Sequence, residues 1–122
     1  MSEQNKRIDL ATAISWTTNY RSRHSGQTKA FLIPIEDIEG VLNEIKGQSG
    51  DPCARAYLGV DPDSGEDKLI LVGTSQKTEK DGSTLYADML PSEEDGDEDG
   101  PGIFDFTMPC PPFCDPNSPL NK

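Results

Sequence analysis

The sequence predicts an α+β fold in which two helices pack on one face of a mostly antiparallel sheet of four to five strands. Two helical patterns occupy the first part of the chain, and a series of strand patterns separated by turns follows them. A segment rich in proline and cysteine closes the sequence. We therefore expect a single domain over residues 1–108 and a C-terminal tail over residues 109–122.

The first helix is predicted to begin after Asp9, whose side chain can act as N-cap, and to end before Gly26. Basic residues fall in its last turn, where they suit the negative end of the helix dipole. Trp16 and Tyr20 are four residues apart, so their side chains meet on the helix surface beside the apolar stripe. This aromatic pair is interpreted either as core packing or as part of a partner-binding surface.

The second helix follows the short apolar run "KAFLI" and begins at Pro34, because proline is well tolerated at a first helical position. Apolar residues then recur at helical spacing until Lys46 and Gly47 end the pattern. Gly40 lies inside this helix, where glycine costs up to about 1 kcal/mol relative to alanine. We interpret it as a point of close packing against a neighbour.

Three strands are predicted in the middle of the chain. "CARAYLGV" and "KLILVGT" form a hairpin around the turn "DPDSGED", and "TLYADML" adds the third strand of a meander. Residues 91–102 contain six acids and no apolar side chain, so a flexible acidic loop is expected there. "IFDFTM" then predicts a last strand with Phe104, Phe106 and Met108 on one face.

The formal net charge is −11, and residues 81–122 contribute −9 of it. Because nucleic acids and anionic membranes are bound by clustered Lys and Arg, this charge argues against both partners. No segment reaches the ~18 apolar residues of a membrane span, and the start "MSEQNKRIDL" lacks the apolar core of a signal peptide. A cytoplasmic location without membrane insertion is expected, and export without a signal peptide stays open.

An enzymatic function is not predicted. His24 is the single histidine and has no candidate nucleophile or metal-ligating motif beside it. The chain also lacks a nucleophile elbow and a phosphate-binding glycine loop. We therefore expect neither catalytic residues nor a cofactor.

Metal binding has only partial support. Asp61 and Asp63 resemble the front half of a calcium loop, but position twelve is Val72 where a bidentate glutamate is needed, so a hairpin turn is favoured. A structural zinc site needs four ligands, and Cys110 and Cys114 supply only two of them. Nothing in the spacing brings Cys53 or His24 to the tail.

The tail "MPCPPFCDPNSPL" holds the most specific pattern. Its prolines fix backbone angles and remove hydrogen-bond donors, so a stiff extended or turning segment is expected, with Phe113 as its largest apolar side chain. A disulfide between Cys110 and Cys114 would close it into a small ring if their Cα atoms approach within about 7 Å. Two interpretations stay open: the tail packs on its own domain, or it docks on another molecule.

The segments "WTTNYR", "KAFLIP", "RAYLGV", "LILVGT" and "PCPPFCDPNSPLN" resemble a family of small bacterial proteins that end in a Cys-Pro-Pro-x-Cys tail. That family has no established activity, so the resemblance implies a discrete small family and no mechanism.

These observations favour a non-enzymatic interaction or self-assembly module, whose tail docks on a neighbouring subunit of a homo-oligomer or on a protein partner. The alternative is a thiol-redox or structural metal-binding module that uses the tail cysteines. The residues predicted to bind the partner are Trp16, Tyr20, Cys110, Pro111, Pro112, Phe113 and Cys114.

Overall fold

The computed structural model describes residues 7–91 and 101–121. Within these residues there are two helices and five strands, all of the strands paired antiparallel, so the predicted α+β class is confirmed. In chain order the elements are α1 (Leu10–Arg23), β1 (Ala30–Leu32), α2 (Ile35–Ile45), β2 (Ala54–Val60), β3 (Asp67–Thr78), β4 (Thr84–Asp88) and β5 (Met108–Cys110).

The strands form two sheets, where the sequence suggested one. β2, β3 and β4 form the larger sheet in that order, and β1 pairs with β5 in the smaller one. The residues before β5 join the sheets: Leu71 forms a single bridge with Phe104. The Thr107 hydroxyl also bonds both backbone groups of Leu69, at 2.9 and 2.7 Å. At Leu69, the side chain of Thr107 takes the place of a backbone hydrogen-bond partner. Backbone pairing along this edge of β3 therefore ends there, and the chain continues into β5, which pairs with β1.

α2 packs against β3 through the buried side chains of Val41 and Ile45. Its start after Pro34 agrees with the sequence. The ring of Phe104 covers Gly40, where an added Cβ would lie 2.7 Å from the ring atom Cζ, so the predicted close packing is confirmed.

Two carboxylates on α2 hold the segment that contains Phe104. The N–H of Gly102 donates to Glu44 Oε2 at 2.8 Å, and the N–H of Phe106 donates to Asp37 Oδ2 at 3.0 Å. Asp37 is fully buried. Upstream, the N–H of Met89 donates to the carbonyl of Gly73 at 2.9 Å.

The last strand differs from its prediction. Phe104 is half-buried, but Phe106 is 69% exposed. The backbone N–H of Phe106 is bound to Asp37 of α2, and its side chain faces solvent. The regular strand begins only at Met108 and includes Pro109 and Cys110. The expected boundary between residues 108 and 109 therefore falls inside β5, and the first residues of the tail belong to the fold. Proline is tolerated there because β5 is an edge strand of a two-stranded sheet.

α1 begins as predicted, with the N–H of Thr12 donating to Asp9 Oδ1 at 2.8 Å. None of its residues is buried, however: Leu10 is 61% exposed, and Ala13 and Ile14 are only partly covered. A groove is therefore left beside this helix.

Of the acidic loop expected over residues 91–102, residues 92–100 lie outside the described residues. In the part of the chain that the structure describes, no helix is long and apolar enough to cross a membrane.

Candidate binding groove and disulfide loop

A cavity of about 720 Å³ lies between α1, β1 and the turn end of the β2–β3 hairpin. We call it the α1 groove. Its volume is within the ~300–1,000 Å³ of typical ligand cavities. Its apolar walls are formed by Trp16, Tyr20, Phe31, Leu58, Val60 and Leu120.

The floor of the α1 groove is a part of the sheet that α2 does not cover. Leu58 and Val60 lie at the end of β2 and pair with Leu69 and Asp67 at the start of β3. α2 packs farther along β3, where Ile45 approaches Gly73. Leu58 is consequently 79% exposed, which is unusual for an apolar residue within a sheet.

Trp16 and Tyr20 form the helical wall of the groove. They are 60% and 43% exposed, so the core-packing interpretation of this pair is wrong. The Tyr20 ring stacks on the ring of His24, with centroids 4.1 Å apart, and its hydroxyl donates to the carbonyl of Thr28 at 3.5 Å. These contacts fix one side of Tyr20 and leave the other side available to a ligand.

Two cations lie at the groove. Arg21 donates to the carbonyl of Leu120, and Lys29 Nζ donates to the carbonyl of Asn121 at 3.3 Å. The basic residues in the last turn of α1 were predicted to complement the helix dipole, and Arg21 also joins the end of the tail to α1. Both acceptors are neutral, and Asp67 also lines the groove, so its three charged side chains carry one net positive charge.

The tail contains a disulfide between Cys110 and Cys114, whose Cα atoms are 4.8 Å apart. The condition for ring closure is therefore met. We call residues 110–114 the disulfide loop. Its base is held in the smaller sheet, where the N–H of Lys29 donates to the carbonyl of Cys110 at 2.8 Å. The N–H of Phe113 donates to the carbonyl of Pro109 at 2.9 Å.

The candidate residues within the disulfide loop differ in how far they are exposed. Cys110 is 4% exposed and lies inside the domain, so it cannot contact a partner directly. Cys114 is half-buried. Pro111, Pro112 and Phe113 are exposed, and Phe113 is 47% so.

The two sets of predicted partner-binding residues are brought close together. Pro111 lines a smaller depression of about 260 Å³, and Arg21 and Lys29 line both this depression and the α1 groove. Trp16 and Tyr20 are thus continuous in surface with the disulfide loop, although 90 or more positions separate them from it in sequence. No local pattern indicates this proximity, because it depends on the pairing of β1 with β5.

A second polar cluster joins the two outer strands of the larger sheet. Arg55 on β2 forms an ion pair with Asp88 on β4, at 2.5 Å, and the hydroxyl of Tyr57 donates to the same carboxylate. The hydrogen bond from Tyr57, then the bond and charge of Arg55, hold the pKa of Asp88 below 3.8. The same carboxylate raises the pKa of Tyr57 above 10.0. This cluster stabilises the sheet and lines neither the α1 groove nor the smaller depression that contains Pro111.

The candidate metal ligands are engaged in other contacts. Asp61 Oδ1 accepts the N–H of Asp63 at 2.9 Å, which is the local bond of a hairpin turn and lowers the pKa of Asp61. Cys110 and Cys114 offer no thiolate while they are bonded to each other. Cys53 is a free, exposed thiol. Among the residues that the structure describes, no three side chains of His, Cys, Asp or Glu are grouped to hold a metal.

Comparison with protein-family models, with curated proteins and with solved structures gave no match for this chain. The resemblance to small bacterial proteins with a Cys-Pro-Pro-x-Cys tail therefore stays a prediction.

Proposed function

We propose that the protein is a non-enzymatic interaction and self-assembly module whose disulfide loop docks on a neighbouring chain. The observation that carries this proposal is the position of Phe113, which is 47% exposed on a covalently closed loop. An aromatic side chain of this size contributes a large apolar area to an interface. Because the loop is closed and its base is paired with β1, little conformational freedom is lost on binding.

The residues of the disulfide loop have separate roles in this proposal. Phe113 contacts the neighbouring chain, and Pro111 and Pro112 flank it as rigid apolar surface. Cys110 and Cys114 act through the bond between them, since the buried Cys110 has no surface to offer. Trp16 and Tyr20 provide a second exposed apolar surface close by.

The first test measures self-association of the full, oxidised chain by sedimentation velocity over a wide concentration series. We expect the wild type to associate and Phe113→Ala to weaken association by about tenfold or more, as for a central aromatic contact. Leu85→Ala is the matched control, because Leu85 on β4 is 46% exposed and lies outside the groove and the loop. A wild type that stays monomeric throughout, or equal losses for both variants, would contradict the proposal.

A thiol-redox module is the second candidate, and the disulfide is the observation that favours it. In that case a dithiol would reduce the bond to two thiols and be oxidised to a disulfide itself, with Cys114 as the more accessible sulfur. This candidate predicts that replacing both cysteines by serine abolishes exchange with a dithiol and leaves association unchanged. The proposed interaction module predicts instead that this double replacement weakens association.

A further inference from the structure

We infer that the α1 groove of one chain receives the disulfide loop of a second copy, so that two chains form a closed dimer with two reciprocal contacts. This inference rests on the proposed function and goes further by naming the surface that accepts Phe113. Three observations support it: the groove is not filled by its own loop, its charge matches the segment after Phe113, and loop and groove are adjacent.

The first observation concerns the fit of apolar surfaces. Phe113 does not line the α1 groove of its own chain, and the base of its loop is held by β1. A second copy can bring the same side chain to the groove without disturbing that pairing. There it would meet Trp16 and Tyr20, and aromatic rings favour such edge-to-face or offset contacts.

The second observation is charge complementarity. Asp115 is exposed and follows Phe113 by two residues, and its carboxylate accepts the N–H of Asn117. Arg21 and Lys29 line the groove together with one acid, Asp67, so its charged side chains carry one net positive charge. In a chain of net charge −11, most surfaces repel an incoming acid, whereas this groove attracts one. The charges therefore favour one orientation of the loop in the groove.

The third observation is the adjacency of loop and groove on one molecule. Pro111 lines the depression that shares Arg21 and Lys29 with the α1 groove. A two-fold axis between such surfaces allows each chain to give its loop and to accept the other one. This geometry closes at two chains, so the expected assembly is a dimer rather than a filament.

The test combines two full-length variants that damage opposite halves of the same contact. Trp16→Ala alters the groove, and Phe113→Ala alters the loop. Each variant alone is expected to be monomeric at concentrations where the wild type and Leu85→Ala are dimeric. When the two are mixed, the loop of the Trp16→Ala chain meets the intact groove of the Phe113→Ala chain. One contact of two is restored, and labelling one variant with ¹⁵N identifies the mixed dimer by mass in native mass spectrometry.

The outcomes separate this inference from the proposed function. A mixed dimer supports both. Loss of association in Phe113→Ala but not in Trp16→Ala overturns the groove as acceptor and leaves the loop as the docking element. Two monomeric variants that do not recover on mixing also overturn the reciprocal dimer. A monomeric wild type overturns both proposals.

Leu58→Thr provides a second groove variant if Trp16→Ala does not fold. Threonine keeps the strand preference of β2, and Leu58 is largely exposed, so the fold is expected to persist. A dimer as stable as that of the wild type in this variant would overturn the inference. Loss of the dimer, with recovery on mixing with Phe113→Ala, would support it.

Discussion

The ring of Phe104 lies directly on Gly40, at the middle of α2. On either side of this contact a carboxylate of the same helix accepts a backbone N–H, Glu44 from Gly102 and Asp37 from Phe106. The helix thus holds five consecutive residues by one apolar and two polar contacts. Those residues lead into β5, so the contacts at α2 help to set where the disulfide loop begins.

Gly40→Ala is expected to destabilise the protein, although alanine is the better helix former. The new methyl group would overlap the Phe104 ring, and overpacking of this kind costs about 1–3 kcal/mol. Urea unfolding measures the loss. Gly47→Ala is the control, since nothing lies within 4 Å of a Cβ there. Adding Phe104→Leu to Gly40→Ala should recover part of the loss, and strictly additive effects would argue against the contact.

Asp37→Ala is expected to lower the free energy of unfolding by about 1–3 kcal/mol, because the N–H of Phe106 loses its acceptor in a buried setting. Asp37→Asn keeps a side-chain oxygen at this site and should cost less. Chemical denaturation compares both with Glu36→Ala, an exposed neighbour in the first turn of α2. If Asp37→Ala were as stable as Glu36→Ala, the hydrogen bond would have no measurable role.

Stability should depend on pH through Asp88. Its pKa is lowered in the folded protein by Tyr57 and Arg55, so its contribution is fully present above 3.8, the ordinary value. As pH falls through the lowered pKa, the carboxylate is protonated and the contribution is lost. The difference in unfolding free energy between wild type and Asp88→Asn should therefore be largest near neutral pH and shrink in acid. A difference that stays constant down to strongly acidic pH would contradict this assignment.

Tyr57→Phe tests the cause of that pKa shift. Without the phenolic hydrogen bond, the pKa of Asp88 should return towards 3.8, so acid destabilisation should begin at a higher pH than in the wild type. The pKa of Asp88 can be followed by NMR titration of its carboxyl carbon. An unchanged pKa in this variant would mean that Arg55 alone causes the shift.

Reduction of the disulfide should weaken self-association more than it affects the fold. Dithiothreitol converts the bond to two thiols, and opening a loop this short costs about 2 kcal/mol by the chain-entropy relation. The pairing of β1 with β5 uses backbone groups and persists. Phe113 becomes less constrained, so the dissociation constant of the dimer, measured by sedimentation velocity, should rise several-fold.

Cys53→Ser serves as background for that experiment, because it removes the free thiol that could exchange with the bond. The double replacement of Cys110 and Cys114 by serine should reproduce the effect of the reductant. Equal association before and after reduction would show that docking does not depend on the closed ring.

The helices, the hairpin and the third strand of the larger sheet could be predicted from the sequence because their signals are local. Asp9 caps α1 three residues away, and the turn that contains Asp61 lies directly between the two strands it joins. Gly40 was also informative, since an otherwise costly residue inside a helix indicated a close neighbour. The sequence did not reveal that this neighbour is Phe104.

The candidate site depends on contacts between distant parts of the chain, so it could not be predicted in the same way. Trp16 and Phe113 were each recognised as exposed-surface candidates, yet their proximity follows from the pairing of Ala30 with Cys110. The prolines of the tail argued only against a helix or a central strand, and Pro109 lies in an edge strand of a two-stranded sheet. The open floor at Leu58 follows from where α2 packs along β3, and that contact joins residues too distant in sequence for a local pattern.

The hydrogen bonds of Met89 and Gly102 have a practical consequence for protein engineering. They anchor the chain to Gly73 and to Glu44, on either side of residues 92–100. Extra residues spliced between Pro91 and Pro101 would leave both anchors in place, and each doubling of a loop's length costs only about 0.6 kcal/mol. A reporter or epitope inserted there would be carried between two anchors, Gly73 and Glu44, neither of which lines the groove that we propose receives Phe113.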